Sequence, residues 1–132
     1  MKATSEARRR WSVTISWILL VLASMVLIGI GLARTMFFIW TPDPTMLEDA
    51  RAGTLLIYAG VVLSLAAAVW SHFRGNPVWV SVCVGLPGIL MGWATLMDQH
   101  SLLRHLAAVV AFPLALGGVA EVIRVRGRRQ RD

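Results

Sequence analysis

Cysteine is almost missing. Cys83 stands alone in 132 residues, which excludes an internal disulfide, a paired-cysteine redox motif and a multi-cysteine zinc site. Four-helix redox enzymes of the disulfide-forming type are excluded with them. Charge is scarce as well, at 15% of residues against 57% hydrophobic ones, and the mean hydropathy is +0.67. A chain that apolar does not suit a soluble domain of this length, so composition points to a membrane protein. Lysine is rarer still: twelve of the thirteen basic residues are arginine, a bias that fits a GC-rich bacterial genome. No internal repeat and no low-complexity segment interrupts the chain.

What is present is a set of long uncharged runs. Crossing a hydrocarbon core of about 30 Å takes about 20 helical residues. Trp11 to Ala33, Ala52 to Ser71 and Gly75 to Met97 meet that length without Asp, Glu, Lys, Arg or His. Lys2 and Arg8 to Arg10 before the first run imitate the basic region of a signal peptide. Its 23 uncharged residues exceed the roughly 7 to 15 of a signal core, and no small-x-small cleavage site closes it, so a retained helix is expected.

The fourth run, Leu106 to Ala120, has only 15 uncharged residues. It reaches a spanning length from Ser101 to Ile123 if Arg104, His105 and Glu121 lie at the headgroups. Charge bias decides. Four spans collect Lys2, Arg8, Arg9, Arg10, Arg74, Arg124, Arg126, Arg128, Arg129 and Arg131 on one side, against Arg34, Arg51 and Arg104 on the other. Ten against three is a positive-inside pattern, whereas three spans would put five C-terminal arginines outside.

The expected fold class is therefore an all-α integral membrane protein: a four-helix transmembrane bundle of antiparallel neighbours, in the plasma (inner) membrane, with both termini cytoplasmic. Residues 1–10 form a basic tail, 11–123 the transmembrane domain and 124–132 an Arg-rich tail. The spans are expected at about 11–33, 52–71, 77–97 and 101–123, with an outer loop over 34–51. Thr45-Met46-Leu47-Glu48 has the pattern of a capping box at the start of the second helix. Gly75 suits a helix stop and Pro77 a first helical position. Trp11, Trp70 and Trp79 fall near the inner interface and Trp40 and Trp93 near the outer one, while Trp17 sits deeper.

Helices in lipid associate through close backbone approach and interhelical hydrogen bonds, so small residues at helical spacing mark contact faces. The third helix carries Ser81, Gly85, Gly88, Gly92 and Thr95; the second Gly60, Ser64, Ala67 and Ser71; the fourth Ala108, Ala111, Ala115 and Gly118. Helix three is expected to be the most crowded. These seams serve packing within the chain or, through Gly88-x-x-x-Gly92, a homo-oligomer. Pro87 and Pro113 should bend their helices and free a carbonyl in each.

Chemistry is sparse. Ion-coupled transport needs an ionisable group at membrane depth, and the central parts of all four spans lack one. Small multidrug transporters share this size and helix count but use an acidic residue in their first helix, and Val13 to Leu32 has none. Asp43, Asp98, His100, Arg104 and His105 gather on the outer face, a donor set for a metal or for acid–base work among lipid headgroups. At about 100° per residue, however, His100 and His105 point some 140° apart on a helix and do not converge on one ion. No cofactor or metal signature is complete.

The net charge of +6 is confined to clusters beside apolar runs. Arg8, Arg9, Arg10, Arg124, Arg126, Arg128 and Arg129 are expected to contact anionic lipid headgroups at the inner face, not nucleic acid. The expected function is non-catalytic: a subunit, assembly factor or scaffold of a larger membrane complex, with a membrane-protein partner or a second copy. Two alternatives stay open. One is a small oligomeric transporter or channel lined by Ser64, Ser71, Ser81 and Thr95; the other is an enzyme at the outer headgroup layer.

Overall fold

The computed structural model describes residues 2–35, 44–97 and 103–128. They form four helices, α1 (Lys2–Thr35), α2 (Pro44–Phe73), α3 (Val78–Met97) and α4 (Leu103–Arg128), and no strand occurs among the described residues. Each helix contains a stretch long and apolar enough to cross a bilayer: Arg8–Thr35, Leu47–Phe73, Val78–Met97 and His105–Arg128. The short fourth run of the sequence thus lies inside a helix of 26 residues.

The helices run past the expected spans: α1 begins at Lys2 within the expected tail, α2 takes in residues 44–51 of the expected outer loop, and α4 continues to Arg128. Two local start signals also differ from the sequence reading. α2 begins at Pro44, so Thr45 lies within its first turn and does not cap it; a proline has no N–H to leave unpaired there and its φ already suits a helix. Pro77 precedes α3 and does not open it. Its carbonyl accepts the N–H groups of Val80 at 3.0 Å and Ser81 at 3.4 Å, as a capping residue's does.

Helix order follows the chain. α1 packs on α2, α2 on α3 and α3 on α4, while α1 and α4 meet sparingly. The reason lies in two matched stripes. Thr14, Trp17, Val21, Ser24, Ile28 and Gly31 are buried on α1, and Gly53, Ile57, Gly60, Ser64, Ala67 and Ser71 on α2. Both alternate steps of three and four, which keeps one face of each helix toward its partner.

The α1–α2 crossing is tightest at glycine. A Cβ on Gly31 would lie 2.6 Å from the Gly53 carbonyl oxygen, and one on Gly60 would lie 2.8 Å from that of Ser24. Deeper in, the Trp17 indole N–H donates to the Ala67 carbonyl at 2.9 Å. A fully buried tryptophan needs such a partner, and the bond pins the two helices.

Two apolar clusters fill the interior. Trp17, Val21, Ala67, Val80, Val84, Val119 and Val122 form one; Ile28, Leu32, Ile57, Val61, Met91 and Ala108 form the other. The outward faces carry large exposed residues such as Leu55, Val62, Leu96 and Val109, as lipid-facing surfaces do.

The α2–α3 interface depends on Ser64. Its hydroxyl donates to the Val84 carbonyl at 2.8 Å and accepts the Gly88 N–H at 3.2 Å. These are the two backbone groups that an α-helix pairs i to i−4, so a side chain of the neighbouring helix engages both ends of one helical step of α3, beside Pro87. A Cβ on Gly88 would lie 3.1 Å from the Val61 carbonyl, so glycine is what lets the helices come this close.

Candidate functional site

The most developed polar arrangement lies where the first turns of α1, the α2–α3 connection and the last turns of α4 meet. Local sequence builds it. At the end of α2 the Asn76 N–H bonds the Ser71 carbonyl at 3.3 Å and the Gly75 N–H bonds that of His72 at 3.0 Å. Gly75 has φ 69°, the left-handed conformation this stop requires. The Asn76 side-chain amide then donates to the Ser71 hydroxyl at 3.1 Å and ties the turn down.

This stop fixes Arg74 as the last residue before the reversal. Its half-buried guanidinium crosses to α1, donating to the Val13 carbonyl and to the Thr14 hydroxyl oxygen, each at 3.2 Å. Thr14 is buried and spends its own proton on the Arg10 carbonyl at 2.9 Å, which leaves its oxygen to accept. Arg126 of α4 donates to the same oxygen. One threonine therefore gathers two guanidinium groups from helices far apart in sequence.

Like charges so placed oppose one another. Burial first, and the Arg126 charge second, hold the Arg74 guanidinium below its ordinary pKa. Beside this pair lies a cleft of about 740 Å³, lined by Arg10, Arg74 and Arg126, by Glu6 and Glu121, by Trp11 and Trp79, and by Asn76. Glu121 faces Arg124 at 3.7 Å, the i,i+3 ion pair of α4. The lining thus holds three guanidinium groups and two carboxylates, an excess of one basic group.

The residues singled out from sequence distribute as follows. On α3, Gly85 faces Ala68 of α2, Gly88 faces Val61 and Ser64, and Gly92 faces Val61, while Gly118 of α4 faces Cys83 and Val80 of α3. Ala111 and Ala115 are fully buried, and Thr95 returns its hydroxyl proton to the Met91 carbonyl at 2.7 Å. The Ser81 hydroxyl is buried with no hydrogen-bond partner among the described residues. Pro87 is buried and Pro113 exposed.

Of the outer cluster, Asp43, Asp98 and His100 lie outside the described residues, and Arg104 falls in the first turn of α4. His105 is half-buried, and its ring nitrogens have no hydrogen-bond partner among the described residues. Among the described residues no three His, Cys, Asp or Glu side chains come together. Arg8, Arg9, Arg10, Arg124 and Arg128 are exposed, Arg126 is half-buried and Arg129 lies outside the described residues.

Sequence reasoning missed Thr14 and the positional role of Arg74 and Asn76. The only advance signal was the glycine stop at Gly75, which fixes where Arg74 must sit. Fold and site together define a multi-pass, all-helical membrane protein with a basic cleft at one end of its bundle. Compared with family models, with curated proteins and with solved structures, the chain matches none.

Proposed function

We propose that this chain is a non-catalytic subunit or scaffold of a larger plasma-membrane assembly. In this reading its neighbouring spans are antiparallel and the basic end of the bundle faces the cytoplasm. Contacts that pair Trp17 with Ala67, Gly60 with Ser24 and Gly31 with Gly53 support opposed directions for α1 and α2. The excess of arginine at the basic end supports its cytoplasmic side.

The observation that carries the reading is how the interior is made. Among the described residues its buried side chains are apolar or short hydroxyls, and most of the hydroxyls are committed to protein groups: Ser24 to the Val21 carbonyl at 2.7 Å, Thr95 to Met91, Ser64 to both Val84 and Gly88, with Ser81 the exception. A conduction path or ion-coupled carrier needs polar groups free to exchange partners with the solute. An interior in which most hydroxyls are held in this way suits a part that keeps its shape while its surfaces engage other components.

Purification from native membranes in mild detergent, followed by mass spectrometry, tests the reading. A partner protein recovered at constant stoichiometry is the expected result. Solute flux in liposomes containing the purified chain alone, with no stable partner in the membrane, would replace the reading with the transporter one.

A further inference from the structure

The cleft at the basic end has more structure than a surface charge patch. An arginine tail that only feels a membrane's potential keeps its side chains extended, solvated and interchangeable. Here Arg74 is half-buried, anchored to α1 at two acceptors and set beside Arg126 by a shared threonine oxygen. The two groups approach one another although each opposes the other's charge, and a cleft of about 740 Å³ opens beside them. That volume is within the roughly 300–1,000 Å³ of small-molecule sites.

The surroundings narrow the occupant. Trp11 and Trp79 line the cleft and remain partly exposed, at 39% and 49%. Indoles at the end of a membrane span sit at headgroup depth, with the ring among the acyl carbonyls and the N–H toward water. Val122 and Val125 add apolar walls from α4. Glu6 and Glu121 also line the cleft, so its three guanidinium groups exceed its carboxylates by one, and an occupant that presents an anion to Arg74 and Arg126 and hydrocarbon to the tryptophans and valines matches the lining best. Guanidinium forks match the paired oxygens of a phosphate.

We propose that this cleft is a binding site for the phosphate of an anionic phospholipid, held by Arg74 and Arg126 with Arg10 at the edge, its acyl chains running along the sparsely packed α1–α4 seam. The proposal rests on the membrane placement given above, but not on the existence of a protein partner. Arg74 is the discriminating residue, because it is anchored within the fold, whereas a merely electrostatic surface would draw equally on the tail arginines.

The test uses the purified full-length chain in detergent, with phosphatidylglycerol or phosphatidylcholine added and retained lipid counted by native mass spectrometry. The wild type should keep one phosphatidylglycerol per chain, with a preference of about tenfold or more over phosphatidylcholine, the scale of one charge-assisted hydrogen bond. Arg74→Gln should remove the preference, Arg74→Lys should restore part of it, and Arg128→Gln in the exposed tail should leave it intact.

Should Arg74→Gln not yield folded protein, Arg10→Gln, at an exposed position, should weaken retention in the same assay. Equal retention of the two lipids, or equal losses in Arg74→Gln and Arg128→Gln, would overturn the proposal. So would displacement of the lipid by millimolar inorganic phosphate, which would assign the site to the free anion. Because no partner protein is in the assay, a negative result leaves the scaffold reading standing, and failure to find a partner leaves the lipid result standing.

Discussion

α1 is bound to its two neighbours by different physics. Toward α2 it presents a continuous stripe in which backbone meets backbone: Gly31 against Gly53, Ser24 against Gly60, and Trp17 reaching the Ala67 carbonyl. Toward α4 it has little beyond an apolar patch of Trp17 and Val21 near Val119 and Val122, and the Thr14–Arg126 bond at the basic end. The first contact is set by shape and cannot respond to its surroundings. The second brings two guanidinium groups to one threonine oxygen, where like charges oppose each other.

If that contrast is right, crowding the α1–α2 face should do the most damage. Gly60→Leu places side-chain atoms where Ser24 oxygen and Ile28 already stand, at 2.8 Å and 2.6 Å from the first added carbon. Neither backbone can yield, so a loss of about 3 kcal/mol is expected in reversible unfolding from mixed detergent micelles. Trp17→Phe comes next. It removes the bond to Ala67 and part of a fully buried side chain, for a loss of about 2 kcal/mol in the same assay.

Ser64→Ala should cost less, about 1 kcal/mol, the scale of the hydrogen bonds to Val84 and Gly88 that it removes. Infrared amide shifts at a labelled Val84 carbonyl should report the loss of the Ser64 hydroxyl. Gly29→Ala is the smallest change. Nothing lies within 4 Å of the added carbon, so the effect should stay within about 0.5 kcal/mol and lean toward stabilisation by helix propensity. A large loss there would mean that α1 has a further neighbour on that face.

Much of this architecture is legible in the sequence, for reasons that differ by element. The spans were visible because bilayer thickness sets a length that few sequences meet by chance, and the charge bias rescued the short fourth run. Glycine seams on α2 and α3 were visible because small residues announce close approach. The matching stripe on α1 was not, since Trp17, Val21 and Ile28 are large and give no such signal.

The cleft was hidden for another reason. Thr14 and Arg74 are 60 residues apart, and Thr14 and Arg126 are 112 apart. No local pattern joins them; only the stacking order of the helices does. Arg74 and Arg126 could be counted among the basic residues of one face, but their meeting at one hydroxyl could not be foreseen. Thr45 shows the opposite failure, a local motif overridden because Pro44 already suits the start of the helix.

The most direct test of the contrast is a pair of distances. Spin labels at exposed Leu19 and Val69 report α1 against α2, and labels at Leu19 and Ile123 report α1 against α4, in a Cys83→Ala background. Pulsed electron resonance in nanodiscs should give a narrow α1–α2 distribution that is the same in zwitterionic and anionic lipid. The α1–α4 distribution should be broader in zwitterionic lipid and narrow when anionic lipid is supplied. Two distributions equally narrow and equally indifferent to lipid charge would contradict the account.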